Sequence, residues 1–231
     1  MKVLGLDTAT AACSAAVWAD GQVLVARTLP MERGHAEALM PMIVDALAEA
    51  RCGFAELDLL AVTVGPGAFT GLRVGLAAAR GMAVACALPC VGVTTLEAVA
   101  AAVDMTEHAG RNLLVAIRSR RAELYVQGFD GAGEPLGPAS AVLPSELVRS
   151  VTAPVVVVGD ASTDVAQAFE AAGVEAVIAE APGVADPGNA AAIAARRWAS
   201  GDNVVQPSPL YLLYLRPPDA IRPRNGGRLR P

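Results

Sequence analysis

The segment GPGAFTGLRVG, residues 65–75, places Gly65, Gly67 and Gly71 between the apolar run LDLLAVTV (57–64) and a long Ala- and Gly-rich stretch. Glycines free the backbone for a tight turn, and the first N–H groups of a following helix face an anion. A nucleotide phosphate is the ligand such a loop would take. Against that chemistry, no lysine follows the last glycine, the GxGxxG spacing is absent, and Arg73 is the only nearby cation. A strand-to-helix turn with close packing accounts for the same residues and is the simpler reading. Asp7 ends the first apolar run, where a nucleotide-linked acid would lie; a turn-stabilising Asp fits the position at least as well. Asp7, Gly65, Gly67 and Arg73 are therefore the nucleotide-proximal candidates.

Other chemistries find less support. The two histidines, His35 and His108, are far apart, with no HExxH and no pair at helical spacing. The four cysteines, Cys13, Cys52, Cys86 and Cys90, form no CxxC pair and read as buried or inert thiols. A G-x-S-x-G elbow is missing, and no Ser or Cys has a recognisable base. Nothing assembles a catalytic or metal site.

With 231 residues, 54% of them apolar and 18% charged, the chain suits a compact fold of one large domain or two lobes. No apolar run reaches the roughly 20 residues that span a bilayer, and the amino terminus lacks a signal-peptide pattern, so a cytoplasmic location is expected. Residues 1–215 carry 13 Lys or Arg against 22 Asp or Glu, an unfavourable surface for nucleic acid. The last sixteen residues reverse the balance, with Arg216, Arg222, Arg224, Arg228 and Arg230 against Asp219. A solvated terminus is the simpler reading of that tail.

The elements that must position the glycine loop can be read from pattern. KVLGLDTA (2–9), CSAAVWAD (13–20) and VLVARTL (23–29) form an antiparallel meander, followed by a helix over 34–51. LLAVTV is a strand buried on both faces, 70–87 a second helix, and Thr94 with Glu97 a capping box opening a third. NLLVAI (112–117) and AELYVQGF (122–129) make a hairpin around RSRR; a buried strand (153–160), a helix (162–172), a strand (174–179) and a helix (187–200) follow. Two or three strands, helix, strand, helix thus repeat loosely, giving α/β lobes over 1–105 and 106–210 and a terminal segment over 211–231. In helix 34–51 the polar residues share one side, while Leu39, Met40, Met42, Ile43, Val44, Ala46 and Leu47 fill most of the rest. That is wider than the ~100° stripe needed to cover one sheet. Helix 70–87 has only Arg73 and Arg80 charged and a ridge of Gly71, Gly75 and Ala79 that permits close helix approach. Two adjacent over-apolar helices point to a contact with a second polypeptide.

The segments GLDTATAACSAAVW, RGHAEALMPMI, GPGAFTGLRVG, GVTTLEAVA, AELYV and YLRPPDA, in this order, resemble the TsaB (YeaZ) family. That family supplies the bacterial partner subunit in threonylcarbamoyladenosine modification of tRNA. The resemblance covers nearly the whole chain, and GPGAFTGLRVG is its most specific element. It implies the two-lobed actin/Hsp70/sugar-kinase-like (ASKHA) fold, each lobe a mixed β-sheet with helices. It also implies a subunit that is not itself an enzyme. The related catalytic subunit, TsaD, carries two metal-binding histidines four residues apart, and Thr95 and Val99 stand at those positions here. A hydroxyl and an isopropyl group cannot replace imidazole ligands. The DTAT turn also lacks the glycine of the superfamily's phosphate loop.

By the same resemblance the two helices dock on TsaD as a four-helix bundle. The implied contacts are Leu39, Met42, Ile43, Leu47, Leu72, Gly75, Leu76 and Ala79. TsaD then modifies the adenosine beside the anticodon of ANN-reading tRNAs, TsaE (an ATPase) joins the assembly, and tRNA is engaged indirectly. Without TsaD the same faces can pair as a homodimer. No cofactor of its own is implied; ATP or ADP at the TsaD interface is left open. Arg118 departs from the family, which commonly has an acidic residue there, and with Arg120 and Arg121 it makes a basic turn, read as a solvated hairpin tip, with contact to RNA or TsaE as the alternative. The rival readings are an enzyme, either a peptidase or a small-molecule kinase, and an ATP-binding module acting alone.

Overall fold

In a computed structural model describing residues 1–108, 110–151, 154–201 and 211–215, the chain forms two five-stranded mixed sheets. The Arg-rich residues 216–231 lie outside the described residues. In the first sheet, β1 (Lys2–Asp7), β2 (Ala12–Ala19) and β3 (Gln22–Pro30) are an antiparallel meander. After α1 (His35–Glu49), β4 (Leu59–Thr63) joins parallel to β1; after α2 (Phe69–Cys86), β5 (Cys90–Val93) joins parallel to β4, and α3 (Thr95–Ala100) follows. The second sheet repeats this plan. β6 (Asn112–Arg118), β7 (Leu124–Phe129) and β8 (Ser140–Val142) form the meander, then come α4 (Pro144–Ser150), β9 (Val155–Val158), α5 (Ser162–Ala171), β10 (Ala176–Ile178) and α6 (Pro187–Ser200). The strand orders, β3-β2-β1-β4-β5 and β10-β9-β6-β7-β8, are the same topology twice. This is the two-lobed α/β fold expected from the sequence.

Composition explains the layering. β4 (LLAVT) and β9 (VVVV) are buried at every position, as strands covered by helices on both faces must be. On one face of the first sheet lie α1 and α2, whose inner residues Leu39, Ile43, Leu76 and Ala79 pack with Leu4, Leu6, Leu60 and Val62. On the corresponding face of the second sheet, Val165 and Phe169 of α5 and Leu147 of α4 pack on Leu114, Ala116 and Val157.

The remaining faces share one core through an exchange of helices. α6, which follows the second sheet in the chain, packs on β1, β2 and β4 of the first; α3 packs on β6 and β7 of the second. Leu96, Val99, Ala191 and Ala194 join Val3, Ala61, Val115 and Val156 in that core. Arg197 of α6 pairs with Glu97 of α3 and donates from Nη1 to the Gly92 carbonyl at 3.2 Å. Both helices are capped at their starts. Thr94 Oγ1 accepts from Glu97 N at 3.1 Å while Glu97 Oε2 accepts from Thr94 N at 2.9 Å, the capping box read from the sequence. Asp186 accepts from Gly188 N and Asn189 N at 2.7 and 3.0 Å, with Pro187 in the first turn.

The cysteines are free; Cys13, Cys52 and Cys90 are buried, and burial pushes the Cys13 and Cys90 thiols up to about 11 and about 12. No helix among the described residues is long and apolar enough to cross a membrane.

The close seating of α6 on β1 depends on Gly5, where a Cβ would overlap the Pro187 carbonyl oxygen. Gly5→Ala should therefore destabilise the chain by about 1–3 kcal/mol, the usual cost of overpacking. Urea unfolding should show a lower midpoint, and an unchanged midpoint would contradict this seating.

Candidate functional site on the first two helices

The glycine loop that raises the question of phosphate binding is occupied by the chain itself. A Cβ on Gly67 would overlap the Ala9 carbonyl oxygen, one on Gly71 the Thr8 carbonyl oxygen, and one on Gly75 the Thr8 hydroxyl. Ala68 N donates to Ala9 O at 2.7 Å and Thr8 Oγ1 donates to Gly71 O at 2.7 Å. The turn between β1 and β2 thus fills the concavity in which an anion would sit. Gly65, at φ 107°, adopts backbone that disfavours side chains, and its carbonyl accepts from Thr95 N at 2.9 Å.

Asp7 is fully buried at the base of this turn. Oδ1 accepts from Thr63 Oγ1 at 2.6 Å and Ala9 N at 3.1 Å, and Oδ2 accepts from Thr10 Oγ1 at 3.0 Å. Burial pushes its carboxyl above the ordinary range, against those three hydrogen bonds, which pull it down. The arrangement favours the turn-stabilising reading of Asp7 and the close-packing reading of the glycines. Arg73 points elsewhere: its guanidinium lies 3.7 Å over the Phe69 ring and Nε donates to Tyr214 Oη at 3.4 Å. Sequence reasoning missed this partner, 141 residues away.

Thr95 and Val99 are both fully buried, and the Thr95 hydroxyl has no hydrogen-bond partner. One hydroxyl and one isopropyl do not fit a divalent metal that needs imidazole donors. His35 is buried at the first turn of α1 with Nε2 unpartnered, and the side chain of His108 lies outside the described residues. In the second lobe, Arg118 is bound to its own chain. Asp160 accepts from its backbone N at 2.6 Å, and Asp164 pairs with its guanidinium at 2.7 Å. Arg120 and Arg121 are exposed at the hairpin tip.

The eight residues expected to contact a partner lie mostly on the inner side of the two helices. Leu39, Ile43, Leu47, Leu72, Gly75, Leu76 and Ala79 are buried inside this chain, and Met42 is half-buried. The reason is geometric: the widest aliphatic arc of each helix is the one that faces the sheet. What the helices leave outside is a second apolar arc. On α1 it is Ala36, Met40, Val44 and Ala48, at four-residue spacing; on α2 it is Phe69, Ala77 and Val84 beside Arg73 and Arg80. Met40, Val44, Phe69 and Val84 are 40, 52, 49 and 74% exposed. Because both helices lie side by side on one sheet face, these arcs turn the same way. A strap, residues 211–215, extends the surface: Leu213 N donates to Val64 O at 2.8 Å, and the Tyr214 ring lies 5.7 Å from that of Phe69.

A family model described as TsaD, tRNA N6-adenosine threonylcarbamoyltransferase, matches residues 29–194. The tRNA threonylcarbamoyladenosine biosynthesis protein TsaB of Escherichia coli (strain K12) is 39% identical over 125 residues, 54% of this chain and 53% of that protein. The match therefore spans about half the length of that relative. YeaZ from Pseudomonas aeruginosa superposes with a TM-score of 0.78 at 27% identity, covering 93% of this chain and 99% of that one. A ROK hexokinase from Thermus thermophilus shares the fold alone, with a TM-score of 0.52 at 17% identity over 86% of this chain and all of the other (100%).

Two outcomes follow from the turn. Gly71→Ala should lower stability by about 1–3 kcal/mol in urea unfolding, since its Cβ meets backbone rather than a movable side chain. For Asp7, a folded-state pKa above the unfolded value has no effect on stability while the group is protonated in both states. It lowers stability as pH rises from the unfolded value of about 3.9 through the folded one. Asp7→Asn should remove that fall from a stability–pH profile; a profile identical to wild type would show that the carboxyl is not displaced upward.

Proposed function

This chain belongs to the family whose model is described as TsaD, tRNA N6-adenosine threonylcarbamoyltransferase, and from its similarity to TsaB and YeaZ we propose that it serves tRNA threonylcarbamoyladenosine biosynthesis as a TsaB-type subunit that docks on a TsaD-type catalytic partner and makes no bonds itself. The observation that carries the reading is the outward apolar arc of α1 and α2, formed by Met40, Val44, Phe69 and Val84, on helices whose opposite sides already cover the sheet. Exposed large apolar side chains gathered on two parallel ridges mark a protein-binding surface. A contact of about 800 Å² per partner would be ordinary for it. The self-filled glycine turn and the buried Thr95 and Val99 support a role without catalysis of its own.

In this reading TsaD supplies the transfer chemistry on the adenosine beside the anticodon, and tRNA is engaged through TsaD. TsaE joins the complex as its ATPase. ATP or ADP, if used, binds at the interface with TsaD, and the complex works in the cytoplasm. When TsaD is absent the same face pairs two copies of the chain.

The test uses the full chain with the TsaD protein of the same organism. Light scattering after gel filtration should show a heterodimer. Val44→Glu and Val84→Glu, both on exposed positions, should each weaken it at least tenfold with unchanged melting temperatures. Leu39→Glu should instead unfold the chain. Threonylcarbamoylation of tRNA should require the complex. A complex indifferent to both Glu substitutions, or modification by this chain alone, would overturn the proposal.

A further inference from the structure

A second recess shares no residue with the outer face of α1 and α2. It is a cavity of about 880 Å³ between α3, α6 and the turn that joins β7 to β8. That is the size of a small-molecule site. Its floor is apolar: Ala100 and Ile193 are buried, Val103 and Met105 are half-buried, and Pro135 of the turn stands beside them.

Four charged side chains line the cavity, and two of them are spent inside the chain. Glu97 Oε2 accepts from Thr94 N and Thr94 Oγ1 at 2.9 and 2.8 Å. Glu97 Oε1 pairs with Arg197, which also donates to the Gly92 carbonyl. The other two, Arg196 of α6 and Glu134 of the turn, are exposed and make no ion pair among the described residues. Asn189 adds an amide: Nδ2 donates to the Ala98 carbonyl at 3.4 Å, which leaves Oδ1 as an acceptor. The turn that carries Glu134 is fixed in advance. Asp130 Oδ1 accepts from Ala132 N and Glu134 N, both at 2.9 Å, and Gln127 Nε2 donates to the Gly137 carbonyl at 2.9 Å. A site already held in place loses little entropy on binding.

These charges narrow the ligand. With one guanidinium and one carboxylate uncommitted, the lining balances a molecule that carries both signs. A phosphate dianion would meet a single free cation and the repulsion of Glu134. No aromatic side chain among the described residues lines the cavity to stack a base. We propose that the cavity binds a small zwitterion with an apolar body: an apolar α-amino acid or a short peptide of such residues. Its carboxylate pairs with Arg196, its ammonium with Glu134 and Asn189 Oδ1, and its side chain lies on Ile193, Val103 and Met105. Because α6 packs on the first sheet and the turn belongs to the second, the bound molecule ties the two lobes together.

The experiment is isothermal titration calorimetry of the full chain with leucine and with leucyl-leucine. At least one of the two should bind saturably, leucine if a single residue suffices and the dipeptide if two are needed to span the cavity. Leucinamide, which lacks the carboxylate, and isocaproate, which lacks the ammonium, should bind about tenfold more weakly or worse than leucine, the usual loss of a charged hydrogen bond. Arg196→Ala and Glu134→Ala should each cause a similar loss for the probe that binds. Ala101→Trp, at an exposed position of the lining, should block the cavity outright. Melting temperatures establish that each variant is folded, and the analogue series on the wild-type chain decides the matter even where a substitution unfolds it. No saturable heat from either probe at about 10 mM, an analogue that binds as well as leucine, or folded variants that bind as wild type would overturn the inference.

Discussion

Helix α2 lies as close to the first strand as it does because Gly67, Gly71 and Gly75 leave room for the backbone and hydroxyl of the β1–β2 turn. That approach decides two things at once. It spends the glycine loop on internal contact, with Thr8 and Ala9 where a phosphate would be cradled. It also seats α2 flat, so that Leu76 and Ala79 pack with the sheet, Leu72 is buried against Gly65, and Phe69, Ala77 and Val84 are turned out. Asp7 holds the turn from beneath through Thr63, Ala9 and Thr10. Loss of the close approach would lift the helix and displace the outer face with it.

The exchange of α3 and α6 provides the support for that geometry. Each helix leaves its own sheet to pack on the other, and the two meet through Glu97 and Arg197, so the inner faces of both sheets share a single core. The outer layers are then free to differ. In the second lobe α4 is short and polar at its exposed positions, while in the first lobe α1 and α2 remain apolar on both sides. The asymmetry between two lobes of identical topology is what points the proposed docking to the first.

Much of this was legible from residue pattern. The apolar periodicity located twelve of the strands and helices close to their observed bounds, and the Thr94–Glu97 box is present as read. The third strand and first helix of the second lobe, β8 and α4, are three and seven residues long, too short for periodicity to register. That α6 belongs spatially to the first sheet rests on contacts about a hundred residues apart, such as Arg197 with the Gly92 carbonyl of β5, which no local pattern carries. The breadth of the apolar arcs on α1 and α2 was visible, but not which part of each arc faces the sheet. Leu39 and Ile43 therefore looked like contact residues when Met40 and Val44 are the ones outside. The Arg73–Tyr214 contact was hidden for the same reason as α6.

The central claim is that the outer face of α1 and α2, together with the 211–215 strap, is the surface by which this chain acts. Hydrogen–deuterium exchange of the full chain, alone and with the TsaD-type protein proposed as its partner, tests it most directly. The account predicts slowed exchange confined to residues 35–49, 69–86 and 211–215. Protection concentrated between residues 112 and 200, with the two amino-terminal helices unchanged, would contradict it.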